Sequence, residues 1–214
     1  MDGMSDLERR LAGALGAVVD LADVEERSAA AARRLRERAA AEGLVDVAVA
    51  RVASPFGELL VAATPRGLVR LAYEYEPHDR VLEELAEEIS PRVLEAPGRL
   101  EPVRRELDAY FEGRLHRFET PVDWLLVRGF TRRVLRATAR VPYGHVITYR
   151  DVAGRAGSPR GARAAGNALG SNPVPIVVPC HRVIRSGGDL GGYGRGAGGT
   201  ERKAFLLRLE GAID

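Results

Sequence analysis

The sequence predicts an α+β fold, with a small antiparallel sheet and helices in an N-terminal lobe and a helical C-terminal lobe. Two patterns lead to this prediction. Apolar residues alternate over residues 45–73, where two turns containing Pro and Gly interrupt them, as in a strand meander. From Phe130 onward the apolar residues recur at helical spacing, and short loops rich in Gly and Pro separate the segments.

Composition places the chain among ordinary globular proteins. Its 214 residues suffice for one domain or two small ones, and 45% of them are hydrophobic. No apolar run approaches the roughly 18 residues of a membrane span, and the N-terminus lacks a signal-peptide pattern. Cys180 is the single cysteine, so we expect a cytoplasmic protein without a disulfide framework and without membrane association.

Charge is distributed unevenly along the chain. Residues 121–214 contain 15 basic and six acidic residues, a net charge of +9. Residues 1–120 contain 17 basic and 24 acidic residues, a net charge of −7. This polarity fits a polyanionic partner for the C-terminal half. An ordinary solvated charge pattern is an equal alternative on charge alone.

Residues 1–44 are predicted to form a helical extension. Ser5-x-x-Glu8 has the pattern of a capping box, and Asp23-x-x-Glu26 could start a second helix that runs to Gly43. The apolar stripe of this second helix is mostly alanine, so weak packing is expected. A tail, a partner-binding helix and a solvated extension are the alternatives, and the solvated extension is favoured.

The middle of the chain supplies the predicted sheet. Its expected elements, in order, are strand 45–52, turn 54–57, strand 59–63, turn 64–67, strand 68–73, helix 79–89 and helix 101–112. A linker between the lobes is expected at residues 121–127, before a helix at residues 130–140.

Two short helices follow in the C-terminal lobe. Thr148-x-x-Asp151 forms a capping box at the head of the first. Ser158 before Pro159 has the pattern of an N-cap with proline at the first helical position, and this second helix runs through Leu169. Two short helices joined by a tight turn are typical of a helix-turn-helix.

The second of these helices has a face suited to close contact. Arg160, Arg163 and Asn167 share that face, and the residues between them are mostly Gly and Ala. Small side chains let a helix backbone approach its partner closely. A protein partner or tight internal packing would favour them too, but beside a strongly basic lobe DNA is the preferred interpretation.

Cys180 is either a buried small hydrophobe or a nucleophile that needs a base nearby. A free thiol has a pKa of about 8.5 and is only slightly ionised at neutral pH. His181 is adjacent, but successive residues of an extended strand point to opposite faces. A bridging water or a local turn would bring the two groups together.

Glu210 is the third candidate in this group. It lies in the last turn of a helix predicted from about residue 201, where a carboxylate opposes the helix dipole and calls for a compensating partner. An imidazole would satisfy it and give a Cys–His–Glu triad. A surface glutamate at a frayed helix end is the alternative.

With these residues in view, the chain resembles the O6-alkylguanine-DNA alkyltransferases, also called methylated-DNA–protein-cysteine methyltransferases. Residues 172–184, NPVPIVVPCHRVI, nearly reproduce the family signature. The resemblance is dense from Phe130 to Glu210 and weaker from Val45 to Val127. It implies a ribonuclease-H-like lobe without nuclease chemistry at residues 45–122.

The same resemblance implies a DNA-binding and catalytic domain at residues 123–214 and leaves residues 1–44 without a role. Two departures from the family pattern stand out. His145 follows Pro-Tyr-Gly where the family usually has Glu, and the loop from Gly194 to Thr200 is about three residues longer than expected.

The resemblance also assigns catalytic roles. Cys180 accepts the alkyl group, and His181, oriented by Glu210, removes the thiol proton through a water. Asn172 helps to hold the Cys180 region. Tyr149 pushes on a backbone phosphate and donates a proton to the departing guanine.

Binding roles follow from the same source. Arg163 enters the duplex from the minor groove and fills the space of the extruded nucleotide. The guanine pocket is lined by Leu169, Val183, Tyr193 and Gly194. DNA backbone contacts fall on Thr131, Ser158, Ala162 and Ser186.

The implied reaction is stoichiometric repair of double-stranded DNA. An alkyl group on guanine O6, and also on thymine O4, moves irreversibly to Cys180 after the base is flipped out of the duplex. No second cysteine can restore the thiol, so each molecule acts once. The expected protein is a monomer that needs no metal and no cofactor.

Two other classes of function are compatible with part of this pattern. A lesion-recognising module of the alkyltransferase-like kind lacks the acceptor cysteine, so Cys180 argues against it. A thiol hydrolase would use Cys180 in catalytic turnover, but the helix-turn-helix and the wedge Arg163 argue against that activity.

Overall fold

The computed structural model of the protein describes residues 21–194 and 198–214. The chain divides between Gly43 and Leu44 into two compact units.

Helix α1, Leu21–Ala41, belongs to the first unit and has Asp23 in its first turn. The predicted helix start at Asp23 is therefore wrong, because the two residues before it are already helical. The capping box predicted at Ser5 lies outside the described residues.

The second unit begins with the predicted strand meander. Strands β1, β2 and β3 span Val47–Ser54, Gly57–Thr64 and Gly67–Ala72. β2 pairs antiparallel with both of its neighbours. Because side chains alternate across a strand, one face of the sheet buries Val47, Val49, Leu60 and Val69 in a common core.

The sequence predicts an antiparallel sheet, but a fourth strand makes the sheet mixed. β4, Val93–Glu95, pairs in parallel with β1, and the strand order is β3-β2-β1-β4. Three residues are too few to show an alternation in the sequence, which is why β4 escaped prediction.

Two helices enclose β4 along the chain. α2 spans His78–Glu88 and buries Val81 and Leu85, and α3 spans Pro97–Phe111. α3 begins four residues before the predicted start, with Pro97 in its first turn, where a proline needs no hydrogen-bonded amide.

The segment predicted as a linker is part of the lobe. The Leu68 amide donates to the Pro121 carbonyl and the Asp123 amide to the Leu68 carbonyl, both at 2.8 Å. Gly67 makes this approach possible, since a Cβ there would lie 2.2 Å from the Pro121 oxygen. Residues 121–123 therefore pair with β3 at the edge of the sheet and do not form a separate linker.

The C-terminal lobe is mainly helical, as predicted. Its elements are α4 Gly129–Thr138, β5 Ile147–Thr148, α5 Tyr149–Arg155, α6 Ala162–Gly170, a 3-10 turn Cys180–Arg182, β6 Val183–Ile184 and α7 Gly199–Leu209. β5 and β6 pair in parallel. α4, α5 and α6 pack on one another around buried Val134, Leu135 and Ala165.

The helix-turn-helix forms, with one correction. The capping box of Thr148 and Asp151 is confirmed at the start of α5. Ser158 is not an N-cap, because α6 begins only after Gly161. The Gly161 amide donates to the Ser158 carbonyl at 2.8 Å and closes a turn that leaves Arg160 outside the helix.

No helix within the described residues is long and apolar enough to cross a membrane.

Candidate active site

Asn172 fixes the chain that leads from α6 to the cysteine. Its Oδ1 accepts from the Val174 amide at 3.1 Å. Its Nδ2 donates to the Val178 carbonyl at 2.8 Å and to Cys180 Sγ at 3.1 Å. Between Val174 and Val178, buried Ile176 has φ 72°. This backbone conformation is rare for a β-branched residue and persists only where the surroundings enforce it. The loop therefore holds Cys180 in one position.

Cys180 and His181 lie in a turn, not on an extended strand. Cys180–Arg182 is a 3-10 turn, and the Cys180 amide donates to the Val178 carbonyl at 2.8 Å. Only 8% of Cys180 and none of His181 is exposed. The backbone thus makes a local turn, but within the described residues this turn does not bring His181 Nδ1 into hydrogen-bonding contact with Cys180 Sγ.

Glu210 is buried at the end of α7 and is the acceptor for several donors. Oε1 accepts from His181 Nε2 at 2.9 Å, Arg182 Nη2 at 2.8 Å and Tyr110 Oη at 2.7 Å. Oε2 accepts from Arg182 Nε at 2.8 Å and from the Gly144 amide at 3.4 Å. The alternative of a surface glutamate at a frayed end is excluded, since Glu210 is only 5% exposed.

These contacts set the protonation states. Burial by itself raises the pKa of Glu210, but hydrogen bonds from His181 and Arg182, together with their charges, lower it to about 2. Burial lowers the pKa of His181 below its usual value, against the Glu210 carboxylate, which raises it. At neutral pH the site thus contains a carboxylate and a neutral imidazole.

The hydrogen bond to Glu210 also assigns the tautomer of the imidazole. An ionised carboxylate can only accept, so the ring proton of His181 lies on Nε2. Nδ1 is then a proton acceptor. It is buried and makes no hydrogen bond within the described residues. His181 can therefore take a proton at Nδ1 while Glu210 stabilises the resulting cation.

Cys180 itself is a thiol at rest. Burial raises the pKa of Cys180, although the hydrogen bond from Asn172 and the charge of Lys203 lower it in part. A thiol in this state is a weak nucleophile and must lose its proton as the reaction proceeds.

Arg182, Tyr110 and Lys203 complete the surroundings and were not predicted as site residues. Arg182 and Tyr110 saturate the Glu210 carboxylate, and Arg182 also donates to the Val141 carbonyl at 2.5 Å. The sequence signal that could have identified Arg182 is its position directly after His181 in the signature motif. Tyr110 comes from α3 of the other lobe, and no local pattern could link it to Glu210.

Lys203 is the only lysine of the chain and is fully buried. Its Nζ donates to the Val183 carbonyl at 2.6 Å and to the Leu190 carbonyl at 2.5 Å. Burial lowers the pKa of Lys203 to about 8. A single lysine in an arginine-rich chain was the sequence signal for a special environment.

A cavity of about 540 Å³ gives access to Cys180. Leu169, Tyr193 and Gly194 line it, as predicted for a base pocket, together with Tyr149. Val183 is not among its lining residues; its side chain is buried beside β5. The size falls in the range of small-molecule sites, about 300–1,000 Å³.

Tyr149 and Tyr193 are the phenols of this cavity. Burial raises the pKa of both, so both stay protonated at neutral pH. Tyr193 shares a hydrogen bond of 2.7 Å with Tyr73 of β3's C-terminal end. Gly191, with φ 70°, leaves room for the Tyr149 hydroxyl, which a Cβ there would approach to 3.0 Å.

The predicted DNA-contact residues fall in two places. Ala162 and Arg163, at the start of α6, border the cavity. Thr131 on α4, Ser158 in the turn before α6 and Ser186 after β6 do not line it. Arg163 is exposed at the cavity rim.

No group of three or more His, Cys, Asp or Glu side chains within residues 21–194 and 198–214 is arranged to hold a metal ion.

Comparison with known families and proteins identifies the family to which the chain belongs. Residues 48–124 match the family described as 6-O-methylguanine DNA methyltransferase, ribonuclease-like domain, and residues 129–212 match its DNA binding domain. The chain is 40% identical over 159 residues to a methylated-DNA–protein-cysteine methyltransferase of Mycobacterium bovis, an alignment that covers 73% of this chain and 88% of the relative. The chain belongs to the methylated-DNA–protein-cysteine methyltransferase family.

Other members support the assignment. The inducible methylated-DNA–protein-cysteine methyltransferase of Bacillus subtilis is 38% identical over 70% of this chain and 82% of its own. The O6-methylguanine methyltransferase of Mycobacterium tuberculosis superposes with a TM-score of 0.65 at 35% identity, covering 78% of this chain and 94% of that one. An OGT of the same species in complex with DNA gives a TM-score of 0.62 at 36% identity, covering 78% and 92%. The resemblance and the fold class are thus confirmed.

Proposed function

We propose that the protein repairs DNA by moving an alkyl group from guanine O6 to Cys180. The observation that carries this proposal is a buried thiol, held by Asn172 beside a neutral His181, which faces a base-sized cavity at the rim of α6. The family's members are named for transfer to a protein cysteine, and one relative was crystallised with DNA.

The first step activates the thiol. A water relays the Cys180 proton to Nδ1 of His181, and Glu210 stabilises the imidazolium through Nε2–H. Arg182 and Tyr110 keep Glu210 ionised and immobile, so their role is to position the base. Asn172 donates to Sγ and stabilises the developing thiolate.

The second step transfers the alkyl group. The Cys180 sulfur forms a bond to the alkyl carbon as the bond from that carbon to guanine O6 breaks, and the electron pair of the broken bond passes to the base. Tyr149 donates a proton to the departing guanine and is reprotonated by solvent, while the His181 imidazolium releases to solvent the proton that it took from Cys180. The products are an S-alkylcysteine and an unmodified guanine.

Access to the cavity requires extrusion of the base. O6 of a paired guanine lies inside the stacked duplex, out of reach of a thiol that is 8% exposed. Arg163 at the cavity rim occupies the gap left in the duplex, and the small residues of α6 allow close approach to the minor groove. Leu169, Tyr193 and Gly194 enclose the flipped base, and O4-alkylthymine is a further substrate of the same pocket.

Backbone contacts hold the duplex in register. Thr131, Ser158, Ala162 and Ser186 contact phosphates or sugars around the extruded nucleotide. The thioether has no resolving thiol in this chain, so each molecule reacts once. The proposed compartment is the cytoplasm, where a free cysteine stays reduced.

A direct test uses duplex DNA with an isotopically labelled methyl group on guanine O6. We expect label to move to the peptide that contains Cys180, with a mass gain of one methyl group in place of hydrogen, and no transfer by Cys180→Ala. Absence of transfer by the intact protein would refute the proposal, and repeated turnover would favour the hydrolase alternative.

A second test separates base extrusion from chemistry. Arg163→Ala should slow transfer from duplex DNA by about tenfold or more, since a wedge contributes a few kcal/mol of unstacking energy. Transfer from a free O6-alkylguanine base should be unchanged. Arg160→Ala is the matched control, because Arg160 lies outside α6. Equal slowing on both substrates would contradict the wedge role.

A further inference from the structure

A second arginine-rich surface lies away from the cysteine. A groove of about 520 Å³ is lined by Arg66, Arg128, Arg132 and Arg136, together with Trp124. It lies between α4 and the turn that joins β2 to β3. None of these residues lines the cavity at Cys180. We call this surface the α4 groove.

Three of the four arginines form a row. Arg128 is the N-cap residue of α4, and Arg132 and Arg136 follow it at intervals of four residues, so the three run along one side of the helix over about 12 Å. All three are exposed, while Val134 and Leu135 of the same helix are buried. The Arg136 guanidinium lies 5.7 Å from the centre of the Trp124 ring, which fixes its direction.

The row is also uncompensated. Among the described residues, Arg128, Arg132 and Arg136 have no carboxylate within 4.0 Å. The only acidic residue of the groove, Asp123, is buried and already accepts from Thr64 at 2.6 Å and from Arg66 at 3.1 Å. By contrast, exposed Arg51, Arg104 and Arg114 in the other lobe each pair with a glutamate.

We propose that the α4 groove binds the sugar-phosphate backbone of the same DNA duplex, outside the segment held by α6. This proposal rests on the proposed function. A DNA strand carries one phosphate per about 3.4 Å of rise, so the row spans three to four phosphates. Guanidinium groups suit phosphate oxygens, and the groove offers several without a competing carboxylate.

The position of the groove favours one duplex rather than two. α4 packs directly on α6, so the two surfaces are separated by about one helix diameter, ~10 Å. One turn of duplex DNA extends about 34 Å. A duplex that lies along α6 therefore reaches the α4 groove when it continues beyond the lesion.

The test compares the full chain with its variant Arg128→Gln, Arg132→Gln, Arg136→Gln. Binding is measured against salt on lesion-containing duplexes of about 10 and about 30 base pairs, one and three helical turns. On the longer duplex we expect the slope of log affinity against log salt to fall by about 2 to 3, and affinity to fall about tenfold or more at low salt. Affinity for the shorter duplex should fall less, because one turn of DNA extends only about 17 Å on either side of a central lesion and covers only part of the row.

A matched control removes the same charge elsewhere. Arg51→Gln, Arg104→Gln, Arg114→Gln takes three paired arginines from the other lobe and should leave both measurements unchanged. An equal effect of the two triple variants would show a response to net charge and overturn the proposal. So would an unchanged slope on the long duplex, or an equal loss on both lengths.

Two further readouts complete the design. Transfer from a free O6-alkylguanine base should be equal in all three proteins, so a failure of the proposed function shows in that assay and not in the salt slope. Capture of a second, labelled duplex by the DNA-bound protein is measured as well. Capture that depends on Arg132 would assign the groove to another duplex and overturn binding of the same one.

Discussion

The two lobes of the second unit use charge in opposite ways. In the N-terminal lobe nearly every arginine is exposed or half-buried and paired with a neighbouring carboxylate, over a core of aliphatic side chains. In the C-terminal lobe one group of charges is buried around Glu210. Another, on α4 and α6, is exposed and makes no ion pair with the residues that the structure describes. Pairing at a surface adds little stability, whereas burial of charge is costly. Exposed charge without a partner costs little and is available to an anionic ligand.

Among the substitutions that test this difference between the lobes, Glu210→Gln should have the largest effect on stability and on transfer. Loss of the charge leaves Arg182 buried without its counter-ion and His181 without a stabiliser, so we expect about 3–5 kcal/mol less free energy of unfolding. Methyl transfer should slow about 100-fold or more. Urea denaturation and single-turnover transfer measure the two effects.

Asp123→Asn is the matched control for that variant. Asp123 is also a buried carboxylate, but its partner Arg66 is 66% exposed and therefore solvated. We expect a loss of about 1 kcal/mol and an unchanged transfer rate. A transfer defect equal to that of Glu210→Gln would show that the rate merely follows stability.

Stability should fall in acid because of the same buried group. The pKa of Glu210 is lowered from 4.5 to about 2, so its contribution, about 3 kcal/mol, is complete above pH 4.5 and lost as the pH falls through 2. His181, whose pKa is also lowered, adds a loss below pH 6.5 because the unfolded chain takes up its proton first. Thermal melts from pH 7.5 to 3 should show this decline, and a flat profile would contradict it.

Gly199→Ala tests how tightly the C-terminal lobe closes over the cavity. A Cβ at Gly199 would lie 2.0 Å from the Tyr193 carbonyl oxygen, so α7 or Tyr193 must shift, at about 1–3 kcal/mol. Transfer should slow as Tyr193 moves. Gly98→Ala, in α3, meets nothing within 4 Å, so it should leave the transfer rate unaltered and raise stability by about 0.4–1 kcal/mol.

Single surface arginines should have the smallest effect. Arg104→Gln removes pairs with Glu101 and Asp108, and Arg132→Gln removes an unpaired charge. We expect neither to move the melting temperature beyond measurement error. Only Arg132→Gln should change the salt dependence of DNA binding. A change with Arg104→Gln and none with Arg132→Gln would contradict the proposed difference between the two lobes.

Local chemistry made much of this fold predictable. The strand meander could be predicted because each of its turns ends in a glycine, Gly57 or Gly67, which adopts the positive φ that the turn requires. The capping box of Thr148 likewise predicts where α5 begins. The α6 start was mispredicted because Ser158 and Pro159 also suit a turn. At Gly161 a Cβ would lie 2.6 Å from the Ser158 hydroxyl, so that turn is tight.

The site was predictable where a motif or a helix end gave a signal. Asn172 and Cys180 lie within ten residues of each other, and the hydrogen bond between them forms inside one loop. The placement of Tyr110 against Glu210 joins residues 100 positions apart. Such a contact depends on how the lobes pack, which no short pattern encodes.

The burial of Cys180 determines how long its thiol stays reactive while no alkylated DNA is present. Peroxides and soluble electrophiles react with exposed thiolates, and this thiol is neither exposed nor ionised at rest. A molecule that can react once would be spent by any stray oxidant. Burial therefore preserves the thiol until an alkylated base enters the cavity that leads to it.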